Sequence, residues 1–160
     1  MSTDKIVAGA SYWECLTRFE EGRVIIGFDE WVVVSVHATS CAGRNSMMGF
    51  KKNTTYATLI RNANGNFIGS GYQYGLKKNI SYVDRMLIDV NKTLPSQLYL
   101  QKALALIAKK REMMELMQHI DDVINNADTD QDEREEQQAE FQKVLAVFVE
   151  LNRQILGYQQ

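Results

Sequence analysis

Seven basic side chains and a single acidic one fall between Arg44 and Arg85, whereas the remainder of the 160 residues carries eleven basic and nineteen acidic. The formal net charge of −2 therefore divides into +6 on this segment and −8 elsewhere. Phe50, Tyr56, Phe67, Tyr72, Tyr74 and Tyr82 are interleaved with the cations Arg44, Lys51, Lys52, Arg61, Lys77, Lys78 and Arg85. Cations pair with phosphate and flat rings stack on bases, so the pattern suits an anionic, ring-bearing ligand. The competing explanation is that lysines at strand ends guard sheet edges against unwanted pairing. A merely solvated surface mixes charge signs, and the near absence of acids here favours binding.

No other constellation carries chemistry as well. His37-Ala38-Thr39 has the His-x-Thr form in which paired imidazoles act as acid and base on a phosphodiester, but that chemistry needs the motif twice. The second histidine, in His119-Ile120-Asp121, lacks the hydroxyl, so no catalytic residue is assigned. Two histidines and two cysteines, all distant in sequence, do not form a first-shell zinc pattern, and no cofactor or metal is expected. Asp128-Thr129-Asp130-Gln131-Asp132 starts as a calcium loop does, then places Glu133 where glycine is required and Ala139 where a bidentate acid is required. It reads as a solvated acidic tip. Cys15 and Cys41 match no redox or zinc spacing, and Met1-Ser2-Thr3-Asp4-Lys5 is not the start of a secretory signal. These features predict reduced thiols in the cytoplasm. The apolar runs at 24–28 and 31–36 are far shorter than the ~20 residues that span a bilayer.

The elements that must position the basic segment follow from spacing and turn chemistry. Ser11-Tyr12-Trp13-Glu14 has the capping-box form, with Tyr12, Cys15, Leu16 and Phe19 at helical spacing and Gly22 as a closing residue, which predicts a short leading helix. Two β-rich runs, 23–28 and 31–38, are expected to turn at Asp29-Glu30. A small-residue loop covers 40–49. Strands at 54–62 and 66–74 flank Asn62-Ala63-Asn64-Gly65, the best hairpin signal in the chain. Residues 80–90 fit either a short helix or a buried strand.

From Pro95 the pattern becomes helical. Leu100, Ala103, Ile107, Met114, Met117 and Ile124 follow a seven-residue repeat, and a second helix is expected from near Glu133 after a polar tip at 125–132. Phe141, Val144, Phe148, Leu151, Ile155 and Tyr158 keep unbroken 3-4 spacing and predict a seam against another helix, read as joining copies of the chain in preference to purely internal packing. Lys109-Lys110-Arg111 reads as a solvated face.

The fold class expected is α+β: a small antiparallel sheet with a short N-terminal helix and a long C-terminal α-helical hairpin. Residues 1–94 form the ligand-binding region and 95–160 the oligomerising hairpin. The function expected is a non-enzymatic homo-oligomeric protein that captures a phosphate-bearing ligand, either single-stranded nucleic acid or a free nucleotide, through Arg44, Lys51, Lys52, Tyr56, Arg61, Tyr72, Tyr74, Lys77, Lys78 and Arg85. The alternative is an inhibitory module that docks on a protein partner through its hairpin.

Overall fold

A computed structural model describes residues 6–38, 54–69 and 75–159. Four strands form one antiparallel sheet in the order β1-β2-β3-β4: β1 is Ser11–Glu20, β2 Arg23–Ala38, β3 Thr55–Arg61 and β4 Arg85–Asp89. Two helices follow, α1 over Lys102–Asn125 and α2 over Gln131–Tyr158. The fold class is α+β with a C-terminal helical hairpin, as the sequence predicts.

The leading helix is a correction: 11–20 is strand β1. The side chains that resemble a capping box are used across strands instead. The Ser11 hydroxyl donates to Glu30 Oε1 at 2.7 Å, and the Trp31 indole donates to Glu14 Oε2 at 2.9 Å. Gly22 closes a hairpin rather than a helix. Glu21 and Gly22 have φ of +49° and +75°, the pair of left-handed conformations of a type I′ turn that matches strand twist.

The turn expected at Asp29-Glu30 is likewise absent, because β2 runs straight through it. Both carboxylates have cross-strand partners. Asp29 accepts from Arg61 at 3.0 Å, and Glu30 accepts from Ser11 and Asn62, so the acidic pair needs no solvent-exposed loop.

The register of β2 on β3 shifts between Val33 and Ser35, leaving Val34 as the extra residue of a bulge. Because side chains alternate faces, the extra residue reverses their parity. Trp31 and Val33 lie on one face with Leu59 and Ala57, while beyond the bulge Ser35 and His37 lie on the other, beside Thr58 and Tyr56. The first face carries the core of Tyr12, Trp31, Val33, Ala57, Leu59, Ile88 and Leu98. Full burial of its branched aliphatic side chains, Val33, Leu59, Ile88 and Leu98, contributes about 1.5–3 kcal/mol each.

Residues 80–90 combine both expected conformations, a single 3-10 turn at Tyr82–Asp84 leading directly into β4. The turn predicted at 62–65 is present, with Asn64 and Gly65 at φ +55° and +66°. The strand expected at 66–74 lies partly outside the described residues; its described part forms one bridge, Phe67 to Leu76.

The first long helix begins at Lys102, later than the pattern from Pro95 implies. Leu98 closes a turn onto Pro95, and Tyr99 exchanges two backbone hydrogen bonds with Trp13, which holds that stretch extended. The α1 repeat is also displaced by one residue. Leu106, Met113 and Ile120 are its buried stripe, whereas Ile107 and Met114 are 43% and 51% exposed. In α2, Val144 and Leu151 are buried within the single chain. Phe141, Phe148 and Ile155 are half-buried, and Tyr158 is exposed. The acidic tip serves the second helix: Asp130 caps α2 by accepting from the Glu133 amide at 2.8 Å, with Asp132 and Glu133 in the positively polarised first turn.

By contacts the chain divides into two units. One comprises residues 1–14 and 29–100, the other residues 15–28 and 101–160. The first contains β3, β4 and the basic segment; the second contains the β1–β2 turn and both helices.

Gly22→Val is expected to destabilise the protein by about 1–2 kcal/mol, because a β-branched side chain is forced into the left-handed region. Gly27→Ala, where no heavy atom lies within 4 Å of the added carbon and φ is not positive, is expected to change stability by less than half as much. Urea unfolding midpoints of the two variants check this.

Candidate functional site

The basic segment is organised around its one acid. Asp84 is 1% exposed, and its carboxylate accepts from Arg61 Nε at 2.7 Å, from Arg61 Nη2, from Asn64 Nδ2 at 3.1 Å and from Asn66 Nδ2 at 3.0 Å. The three donor residues come from the end of β3 and the turn that follows it; the acceptor comes from the 3-10 turn before β4. These bonds lower the Asp84 pKa to about 2, with Asn66 contributing most, then Asn64, then Arg61. Asn66 is itself 1% exposed, and its amide nitrogen also donates to the Arg61 carbonyl at 3.1 Å. Its backbone carbonyl accepts from the Lys77 amide at 2.8 Å, which brings the 75–77 strip onto the same hub.

The hub determines what faces solvent. Tyr82 is 87% exposed and Val83 is 52% exposed on the 3-10 turn whose third residue is buried Asp84. Lys77, Lys78 and Arg85 are all exposed, and among the described residues none of the three makes an ion pair. Three exposed cations, without ion pairs among the described residues, and an exposed aromatic ring thus lie on segments next to or hydrogen-bonded with this hub. Ring stacking and phosphate pairing both need such groups open to a ligand rather than paired at home.

The expected ligand residues separate into three sets. Lys77, Lys78 and Arg85 are gathered around the hub. Arg61 is inside it: besides Asp84, its guanidinium donates to Asp29 and lies 5.8 Å from the Trp31 ring centroid, and both carboxylates raise its pKa. A phosphate at Arg61 would have to displace a carboxylate. Tyr56 lies on the non-core face of β3, its ring 5.8 Å from that of His37, on the same side of the sheet as Arg85 and two rungs away from it. Arg44, Lys51, Lys52, Tyr72 and Tyr74 lie outside the described residues.

Sequence spacing did not single out Tyr82 as a ligand residue, nor Asp84 as the organiser. The available signal was the isolation of Asp84 as the one acid in a basic stretch, three residues after Ser81 and one before Arg85. Asn64 was legible as a turn former and Asn66 as the start of an expected strand, while their role as donors to a carboxylate eighteen to twenty positions away was not.

The remaining candidates are a thiol, a metal-binding group and a pocket in the helical hairpin. Cys15 is buried on β1, and desolvation pushes its thiol up to about 11, which disfavours the nucleophilic thiolate. Cys41 is outside the described residues. Among the described residues no three His, Cys, Asp or Glu side chains are grouped to hold a metal. A pocket between α1 and α2, lined by Asp121, Ile124, Gln138, Phe141 and Gln142, has a volume of about 100 Å³. Ligand sites for drug-sized molecules begin at ~300 Å³. Among the described residues no helix is long and apolar enough to cross a membrane. Comparison with protein families, curated proteins and solved structures finds no match to this chain.

Because the folded pKa of Asp84 lies below the ~3.9 of an unfolded aspartate, its ionised form stabilises the fold above pH 4, and that contribution is lost as pH falls from 4 towards 2. The loss is expected to be about 2 kcal/mol. Thermal melts from pH 7 to pH 2 should show this acid limb in the native protein and a flatter one in Asp84→Asn, whose melting temperature at pH 7 is already reduced.

Proposed function

We propose that this protein is a non-enzymatic, oligomeric binding protein of the cytoplasm that captures a phosphate-bearing, base-containing ligand and can act by sequestering it. One observation carries the proposal: Tyr82 is 87% exposed on the 3-10 turn that ends in buried Asp84, and Lys77, Lys78 and Arg85 are exposed and without ion pairs among the described residues, Lys77 being tied by its backbone to Asn66, which donates to Asp84. The cations supply phosphate pairing, and the ring supplies a stacking platform that tolerates any base. Tyr56, on the face shared with Arg85, offers a second ring in line with the first group of contacts.

The openness of these groups supports an extended strand over an enclosed mononucleotide. A ring exposed on almost all sides can stack without a cavity, and spaced cations track a backbone. A second function is supported by a separate feature, the apolar outer face of the helical hairpin, on which Val149 and Leu156 are 58% and 60% exposed. Such a face suits a protein-docking module.

Fluorescence anisotropy with labelled oligothymidylate and labelled mononucleotide, each over 50–300 mM salt, separates the ligand classes. A strand should bind with log K falling by about 0.7 for each phosphate neutralised, so Lys77→Glu with Lys78→Glu should weaken binding and flatten the slope. Tyr82→Ala is expected to weaken binding by about 1–3 kcal/mol while leaving the salt slope intact. No binding to either probe, or binding unaffected by all three substitutions, refutes the proposal.

A further inference from the structure

The hairpin is a two-sided layer within its own unit. On α1, Lys102 Nζ lies 5.4 Å from the Phe28 ring centroid, and the charges of Lys109 and Glu112 are felt by the Cys15 thiol. That side of α1 therefore faces the strand segments 15–20 and 23–28. The seam to α2 is formed by Leu106, Met113 and Ile120 against the stripe containing Val144 and Leu151. Continuing around α1 away from the strands, Leu104, Ile107 and Met114 are 45%, 43% and 51% exposed, at offsets of 80–160° from Leu106 at 100° per residue. On α2, Val149 and Leu156 stand at 140–160° from Leu151 in the same rotational sense. Antiparallel helices seen end-on turn in opposite senses, so equal offsets from a shared seam put both stripes on one side of the layer.

We infer that this face is where a second copy of the chain packs, layer on layer, about a two-fold axis that crosses α1 near Ile107 and leaves the hairpin tips at opposite ends. The inference specifies the oligomeric part of the proposed function and is independent of its ligand. Five large apolar side chains, each about half exposed, supply roughly 450 Å² of apolar surface, and with a polar rim they approach the ~800 Å² per partner of a standard interface. Within the two stripes between residues 104 and 114 and between 145 and 156, Arg111 is the one charged residue at those offsets. The complement of so neutral a patch is another neutral patch, which an isologous contact supplies.

Charge decides the orientation. Residues 112–140 carry eleven acids and one arginine, whereas 102–111 carry four cations and no acid. A two-fold axis parallel to the helices would place two acidic tips side by side; an axis across them separates the tips and removes that repulsion. The residues expected from sequence to join copies serve a different contact: Val144 and Leu151 are buried within one chain.

Sedimentation equilibrium and native mass measurement on the full chain should report a dimer at micromolar concentration. Ile107→Glu and, as a second variant, Met114→Glu should each yield monomers that retain helical circular dichroism. In a Cys41→Ser background, Ile107→Cys should form a disulfide-linked dimer on air oxidation, and Ala127→Cys at the tip should not. A monomer at all concentrations refutes oligomerisation altogether. A dimer that survives both Glu variants refutes this face alone, and cross-linking through Ala127→Cys but not Ile107→Cys refutes the orientation.

Discussion

A single buried carboxylate ties together the end of β3, the turn after it and the 3-10 turn before β4. Asp84 is out of contact with water, and an ionised group in that position persists only with its lone pairs occupied. Arg61, Asn64 and Asn66 occupy them. These donors are carried by the last residue of β3 and by the turn that follows, so the cost of burying one charge is offset only when strand, turn and 3-10 segment are all in place. Truncating Arg61 would leave that charge unpaired, a loss of about 3–5 kcal/mol. The carboxylate's burial therefore couples these three segments to one another.

This arrangement separates two kinds of cation that composition alone treats as equal. Arg61 is consumed internally by Asp29, Asp84 and the Trp31 ring, while Lys77, Lys78 and Arg85 are left for solvent or ligand. Planar Arg61 bridges two carboxylates and lies near an aromatic ring, geometry a lysine could not reproduce. The exposed lysines have no such constraint. The cation inside this cluster is thus outnumbered by its two carboxylates, and the exposed positive charge of the segment comes from the other cations.

The bulge at Val34 has a comparable role in the sheet. Without the extra residue, Ser35 and His37 would continue on the face of Trp31 and Val33, against the core. With it, they join Thr58 and Tyr56 on the opposite face, which becomes polar beyond buried Val32 and Ile60. One inserted residue sorts a run of valines and polar side chains that strict alternation could not have sorted. In the hairpin, a one-residue displacement of the α1 stripe has the converse effect, leaving Ile107 and Met114 outside.

How much was legible follows from the range of each signal. The sequence by itself determined the helical hairpin with its acidic tip, the turn at 62–65 and the basic, aromatic character of the middle segment, because each rests on residues within a few positions of one another. It misplaced β1, since Ser11, Glu14 and Gly22 satisfy helix-cap chemistry and hairpin chemistry alike, and only partners such as Glu30 and Trp31 choose between them. It read Asp29-Glu30 as a turn because two acids inside a strand are stable only with cross-strand donors, which local pattern does not reveal. The joining of Asp84 to Arg61, and with it the choice of which cations stay free, was decided by tertiary structure alone: a carboxylate's burial depends on donors that sequence separation conceals and folding brings within 3 Å.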